Sequence, residues 1–590
     1  MADSKGEIPT SSKLPAWRMV FDEGAVTQEV INHQYSGSGT EGNPFEVSWI
    51  PNDPRNPMDF REPSKWALAA LVSISTFTVS LVSSGYSGGL EEIVEYFQVD
   101  EEIAVLGISF YVLGFALGPL LLAPMSELYG RRPIFIFSAA TLTAFTAGTA
   151  GARNMETLVI LRFFAGSLGS APLAVAGGTL ADTFPAISRG LASGLYAIAP
   201  FMGPTIGPVV GGFLAAAGGW RWVQGFLAIL SGAMLLLTAI LLPETYSPVL
   251  LRKRAKRLSK ITGHVYRSKL DVDGGSSHAG QMFKTALSRP FVLLFCEPIV
   301  LLMSLYLAII YGTLYMFFTA YPIVFQQVRG WSESTGGLAF LGILVGILLA
   351  GVHTFVTFFQ YKKKALAAQG RRLPPEERLP SSFIGSFTLP IGLFWFAWTN
   401  SPSTHWMAPI AAGVPFGYGM ITVFMAVLNY LIDSYTIYAA SVSAANSLLR
   451  SIFGAVFPLF TGYMYQRLGI HWASSIPAFL ALACLPMPFL FYKYGPKIRE
   501  RCHYAAEADA FMNRLLAGTG APPKPEGETQ EERTEMETRA SVVRGDNDDG
   551  GGQTVDVRTE TSRVMTAHRT SCDSRMSSLI TVNSHASSSS

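Results

Sequence analysis

Three ionisable side chains interrupt long apolar stretches of this chain: Arg162 in "LVILRFFAGSLGSAP", Glu297 in "FVLLFCEPIVLL" and Arg450 in "SVSAANSLLRSIFG". An unpartnered charge in hydrocarbon is costly, so such residues are functional by default and are expected to face protein or water. Arg162, with Gly166 and Gly169 near the same face, is expected to point inward and find an acceptor, or else to snorkel to the nearer interface. Glu297 heads a stripe of Leu301, Ser304, Ala308, Tyr311 and Tyr315, spaced by four and three and so aligned on one helix face. An acid, a hydroxyl and two phenols on one stripe suit the lining of a partly wet cavity, with interfacial packing as the alternative for Glu297. Ser443, Asn446 and Arg450 share a similar spacing, and Arg450 either serves function or pins two helices together. Phe110, Tyr111, Tyr196, Phe416 and Tyr418 read first as core or lipid-facing rings. Of these, Tyr111 and Tyr196 join Ser304, Tyr311, Tyr315 and Asn446 as candidate pocket residues.

The elements that must position these groups are membrane helices. The 590 residues are 49% hydrophobic and 15% charged, whereas soluble domains carry roughly 25% charge. Polar sequence is concentrated at 1–64 and 493–590. Between them, apolar runs of about 20 residues match a hydrocarbon core of about 30 Å at 1.5 Å per helical residue. Six runs, at about 66–85, 103–125, 133–151, 157–180, 190–215 and 221–242, are labelled spans 1 to 6. Six more, at about 291–318, 336–359, 383–400, 405–431, 437–462 and 473–492, are spans 7 to 12. Each must satisfy its own backbone in lipid, so all are predicted helical.

Lys and Arg set the orientation. Alternate loops hold Arg131 and Arg132, Arg189, "RKRAKRLSK" (252–260) and "KKK" (362–364) with Arg371 and Arg372. The opposite loops hold single arginines (Arg153, Arg221, Arg329, Arg467) and an acidic group from Glu91 to Glu102. Positive charge marks the cytoplasmic side. Both termini are then cytoplasmic, which requires an even number of crossings and agrees with twelve. The expected organisation is a disordered N-terminal tail (1–64), a six-helix half (65–243), a basic cytoplasmic linker (244–290), a second six-helix half (291–492) and a disordered C-terminal tail (493–590). Gly114-x3-Gly118 in span 2 has a faint counterpart in Gly342-x3-Gly346 of span 8. Two such halves around a central site are the expected plan of a secondary transporter.

Two further stretches carry information. "GPLLLAPMSELYGRRPIF" (118–135) sets Glu127, Gly130, Arg131 and Arg132 between two apolar runs, with Pro124 expected to end span 2 and Pro133 to begin span 3. In "GLASGLYAIAPFMGPTIGPVVGGF", Gly203, Gly207 and Gly211 recur every four residues with Pro204 and Pro208 beside them and Gly212 following. Small residues at that spacing admit a second helix backbone, and the prolines permit a bend. No Walker loop or nucleotide domain is present and the nine histidines form no metal-spaced pair, so neither an enzyme nor an ATP-driven or nucleic-acid-binding protein is indicated. An ion gradient remains as the drive, with no cofactor.

On these motifs the chain resembles the major facilitator superfamily, specifically its fungal twelve-span drug:proton antiporters. "APMSELYGRRP" is similar to the motif between spans 2 and 3, with Glu127 where Asp is usual and Ala123 in place of the first glycine. Arg162 falls on the span 4 arginine and "GPTIGPVVGG" on the antiporter motif of span 5. The resemblance extends through "PETYSPVLLRKRAKRL", "YGTLYMFFTAYPIVF" and "YLIDSYTIYAASVSAANSLLRSIFG", covering most of residues 60–495. It implies alternating access at a midplane site, exchanging external protons for an amphipathic or aromatic toxic compound. The implied protein is a plasma-membrane monomer, with the vacuolar membrane as the other address. Polyamine export and a transporter-like receptor are the alternative functions. Span 1 lacks the acid that some of these antiporters carry there. The expected proton carrier is therefore Glu297, with Asp182 and Asp433 as gate acids pairing with Arg189 or the basic loops. Glu127 is expected to act as a conformational latch, pairing with cations across the cytoplasmic face.

Overall fold

A helix closes its backbone hydrogen bonds within itself, which is what lipid demands. The computed structural model, which describes residues 16–268, 271, 278–368 and 372–518, is built almost wholly of helices. Ten helical stretches among the described residues are long and apolar enough to cross a membrane, making this a multi-pass membrane protein of the all-α class. Two helices, Ala199–Leu241 and Ala439–Cys484, have 43 and 46 residues. At about 1.5 Å per residue, either run straight would reach roughly 65 Å, about twice a hydrocarbon core. Each is broken by a glycine at positive φ, Gly219 (80°) and Gly469 (74°), where a Cβ would be strained. Both glycines lie in the gaps predicted between spans 5 and 6 and between spans 11 and 12.

Helix partnerships repeat between the halves. Span 1 packs on span 5, span 2 on span 4 and span 3 on span 6; likewise span 7 packs on span 11, span 8 on span 10 and span 9 on span 12. The Gly-x3-Gly echo is one contact used twice. A Cβ on Gly114 would lie 2.7 Å from the Gly166 carbonyl carbon in span 4, and one on Gly346 would lie 2.7 Å from Tyr418 N in span 10. Between the halves, span 2 packs on span 11 and span 5 on span 8. Buried hydroxyls bond back along their own helices, as Ser75 does to the Leu71 carbonyl (2.9 Å) and Ser231 to that of Leu227 (2.7 Å). Ile229, Leu236, Leu348 and Val352 face outward, as lipid-facing residues should.

Several boundaries differ from expectation. Pro124 does not end span 2: the helix Glu101–Tyr129 holds Pro119 and Pro124 inside it and stops at Gly130 (φ 106°). Membrane helices tolerate prolines because neighbours take up the freed backbone groups. The predicted N-terminal tail is folded from Ala16 onward. Val26, Val30, Tyr35, Val47 and Ile50 cluster with Ala255 and Leu258 of the linker helix Ser247–Thr262, and strand Phe45–Val47 pairs in parallel with Tyr266–Ser268. Asp53, fully buried, accepts from Arg254 Nη2 at 3.0 Å. At the other end, residues predicted to be disordered from 493 continue the helix Met487–Arg501 and form His503–Gly518. Residues Met1–Ala510 make one unit; of the second, Phe511–Ser590, the described part is the end of that last helix. Residues 1–15 and 519–590 of the predicted tails, and Arg371, lie outside the described residues.

Candidate functional site

The glycines of span 5 turn one face to the backbone of span 1. A Cβ at Gly203 would lie 2.7 Å from Leu81 N, one at Gly207 2.8 Å from Gly85 N, and one at Gly211 would overlap the Gly85 carbonyl. Pro204 and Pro208 are buried beside them. Gly212 faces the second half, where a Cβ would come within 2.8 Å of the Glu333 carbonyl, and Gly337 returns the contact at 2.6 Å from that of Pro208. The motif is thus a close seam within one half and a contact between halves at the acidic end. Near the basic end, Gly190 meets the ring of Phe358 and Gly194 the methyl of Thr354, so the halves touch there too.

Between these ends the sequence-predicted pocket residues split into two groups. Arg162 is 1% exposed and fully engaged. Its Nε donates to the Gly107 carbonyl at 2.6 Å and its Nη2 to that of Ser83 at 2.8 Å, while the Tyr86 and Tyr111 rings lie 4.4 and 4.8 Å from it. Tyr111 is itself buried, its hydroxyl donating to the Val79 carbonyl at 2.9 Å. This group ties span 4 to spans 1 and 2. The second group joins the halves. Tyr315 Oη shares a 2.9 Å hydrogen bond with Ser83 Oγ of span 1 and accepts from Tyr311 at 3.4 Å. Phe201 of span 5 packs edge-on against Phe424 and Tyr311 (ring centres 4.7 and 6.0 Å apart). Arg450 lies over the Tyr311 and Phe424 rings at 4.7 and 5.3 Å. Asn446 Nδ2 reaches Ser304 Oγ at 3.5 Å within the second half, and the Tyr196 hydroxyl donates to the Pro172 carbonyl at 3.1 Å within the first. Glu297 stands apart from them, buried at the start of the helix Pro298–Tyr321, where it accepts from the Tyr435 hydroxyl (2.8 Å) and Tyr504 N (2.9 Å).

At the basic end, a carboxylate that sequence reasoning did not single out organises the loop after span 2. Glu244, fully buried, accepts at Oε1 from the backbone N–H groups of Arg131 (2.9 Å), Thr245 (3.0 Å) and Tyr246 (2.9 Å), and at Oε2 from that of Arg132 (3.1 Å). It caps the positive end of the helix Arg131–Ala150, whose first N–H groups have no intrahelical partner. Burial pushes its carboxyl above the ordinary value, and the backbone donors pull in the opposite direction. Gly130 is required twice, by its φ and because a Cβ would lie 2.8 Å from Glu244 Cδ. The Arg131 side chain pairs with Asp182 at 3.1 Å, donates to Ser126 Oγ at 2.7 Å and covers the Tyr246 ring. Among the described residues Glu127 forms no ion pair, and Arg189 bonds the Phe184 carbonyl (3.5 Å) rather than Asp182. Arg132 adds a 3.6 Å pair with Glu23 of the N-terminal segment. The second half repeats the device: Arg378, in the loop after span 8, pairs with Asp433 at the end of span 10 at 2.7 Å and covers the Tyr361 ring. Arg131–Asp182 joins the corresponding loop and span of the first half.

Residues 72–458 match the model of the Major Facilitator Superfamily. The chain belongs to that superfamily. Among its fungal members, the "MFS-type efflux pump MFS2" of Trichophyton rubrum is 59% identical over 88% of each chain. The "Major facilitator superfamily multidrug transporter mdrA" of Aspergillus fumigatus is 57% identical over 90% of this chain and 89% of its own. A solved major facilitator structure, the proton:xylose symporter XylE, superposes with a TM-score of 0.53 at 16% identity, covering 74% of this chain and 96% of its own, which speaks for the fold alone. This member is therefore a transporter of the fungal drug and toxin exporter group.

Proposed function

We propose that the protein exports amphipathic or aromatic toxic compounds, including antifungal drugs and fungal metabolites, in exchange for external protons. The observation that carries the reading is the span 5 seam. Its glycines hold spans 1 and 5 backbone against backbone, so the two would move as one, while Gly212 and Gly337 close the acidic end against the other half. Rocking about such a seam would open the Tyr311, Tyr315 and Asn446 region to each side in turn. Relatives named as efflux pumps and multidrug transporters support the outward direction. A polyamine cargo would need acids beside the Tyr311 and Tyr315 rings, whereas the charge against Tyr311 is Arg450; the acids that face one another between the halves, Glu91, Glu92, Glu95 and Glu333, lie at the acidic end. The basic end, with both termini, would be cytoplasmic, the chain would cross a plasma membrane twelve times as a monomer, and no cofactor would be needed.

Glu297 is the proposed proton carrier, because it is buried and linked to Tyr435 and Tyr504 rather than to a cation. The test is efflux from cells overexpressing the protein, challenged with an azole, an aromatic acid and a polyamine at several external pH values. Export of the first two, lost when the proton gradient is collapsed, is expected. Export insensitive to that collapse would refute proton coupling, and unchanged pH dependence in Glu297→Gln would remove that residue from the proton path.

A further inference from the structure

The two interior arginines are alike in setting and opposite in satisfaction. Each lies against two aromatic faces, Arg162 against Tyr86 and Tyr111, Arg450 against Tyr311 and Phe424. Arg162 spends its donors on carbonyls of Gly107, Val82 and Ser83. Arg450, only 8% exposed, has an Nε with no hydrogen-bond partner, and among the described residues no carboxylate pairs with it. Ring faces attract a guanidinium but accept no hydrogen bonds from its edge. A buried cation with an unmet donor fork is costly to hold, and that fork matches two oxygens on one planar group. The surroundings are aromatic, and they belong to both halves through Phe201 of span 5.

We propose that Arg450 is the recognition group for a carboxylate-bearing aromatic cargo, its fork holding the carboxylate while Tyr311 and Phe424 flank the ring. The proposal rests on the export reading above and narrows the cargo class within it.

The test uses purified full-length protein in detergent and isothermal titration with naphthaleneacetate and with its neutral amide, naphthaleneacetamide. A charge-assisted pair at a buried fork predicts that the acid binds at least about tenfold more tightly than the amide. Arg450→Gln is expected to abolish that preference while leaving amide affinity within about twofold. If Arg450→Gln no longer binds the amide and so has not folded, Arg450→Met, which buries no polar atom, is read by the same two ratios. No preference in the unaltered protein, or a preference that survives loss of the guanidinium, overturns the proposal. The two readings fail separately: carboxylate preference without efflux would sink the export reading and leave this site standing. Efflux of a neutral azole without carboxylate preference would do the reverse.

Discussion

Glu244→Gln isolates the carboxylate that holds the loop after span 2. In the native protein, four backbone N–H groups converge on two oxygens, three on Oε1 and one on Oε2. A glutamine keeps one acceptor. Placed at Oε1 it retains three bonds without the charge, and its NH2 then confronts the Arg132 N–H, donor against donor. Hydrogen bonds to charged groups contribute about 1.5–3 kcal/mol each, and an orphaned buried donor costs a similar amount. Losing one bond outright and weakening three therefore removes about 3 kcal/mol from local stability. At 1.4 kcal/mol per decade this is roughly a hundredfold rise in the opening equilibrium of that helix start. Hydrogen–deuterium exchange by mass spectrometry reads it directly. The peptide containing Arg131 and Arg132 should exchange about a hundredfold faster in the variant, while peptides from span 7 keep their native rate. Equal exchange of the 131–132 amides in both proteins would refute the capping role.

Three further outcomes follow from the same geometry. Gly211→Ala drives a methyl into the Gly85 carbonyl and should cost about 1–3 kcal/mol by overpacking, whereas Gly225→Ala, with nothing within 4 Å, should be neutral; thermal unfolding of the two variants in detergent checks the contrast. Asp53→Asn leaves Arg254 buried without its counter-charge, which costs about 3–5 kcal/mol, and limited proteolysis should then cut within residues 18–60 much faster than in the unaltered protein. Arg378→Ala frees Asp433 at the end of span 10, as Arg131→Ala frees Asp182 at the end of span 4. If the halves are functional repeats, both should change transport with surface expression intact, and an effect confined to one would deny the equivalence.

The sequence was most informative where one physical constraint dominates. Apolar length marked the spans because lipid leaves the backbone no other partner, and the four-residue glycine spacing marked the span 1 contact because only a bare face admits a backbone so closely. The glycines at 219 and 469 were not singled out, since their positive φ serves a turn with no local pattern around it. Glu244 was missed for a related reason. It follows span 6, and its donors at 131 and 132 begin span 3, so nothing in its own neighbourhood announces a cap. A lone acid after the proline at the end of an apolar run was the available clue. Glu127 drew attention instead because it lies in the motif, yet the Arg131 and Arg132 side chains turn to Asp182 and Glu23. The N-terminal segment reads from its polarity as a disordered tail, yet it is folded, because Val26, Val30 and Ile50 complete their cluster with Ala255 and Leu258 of the linker helix. Tertiary pairing across two hundred residues leaves little trace in local composition.

The central claim is gradient-driven exchange by this chain itself, and purified protein in sealed liposomes tests it most directly. With naphthaleneacetamide and a pH indicator inside the vesicles, an acidic outside should drive the compound out and protons in together, at a rate that vanishes when the pH difference is removed. Release at the same rate with and without the gradient, or proton entry that ignores the compound, would contradict the account.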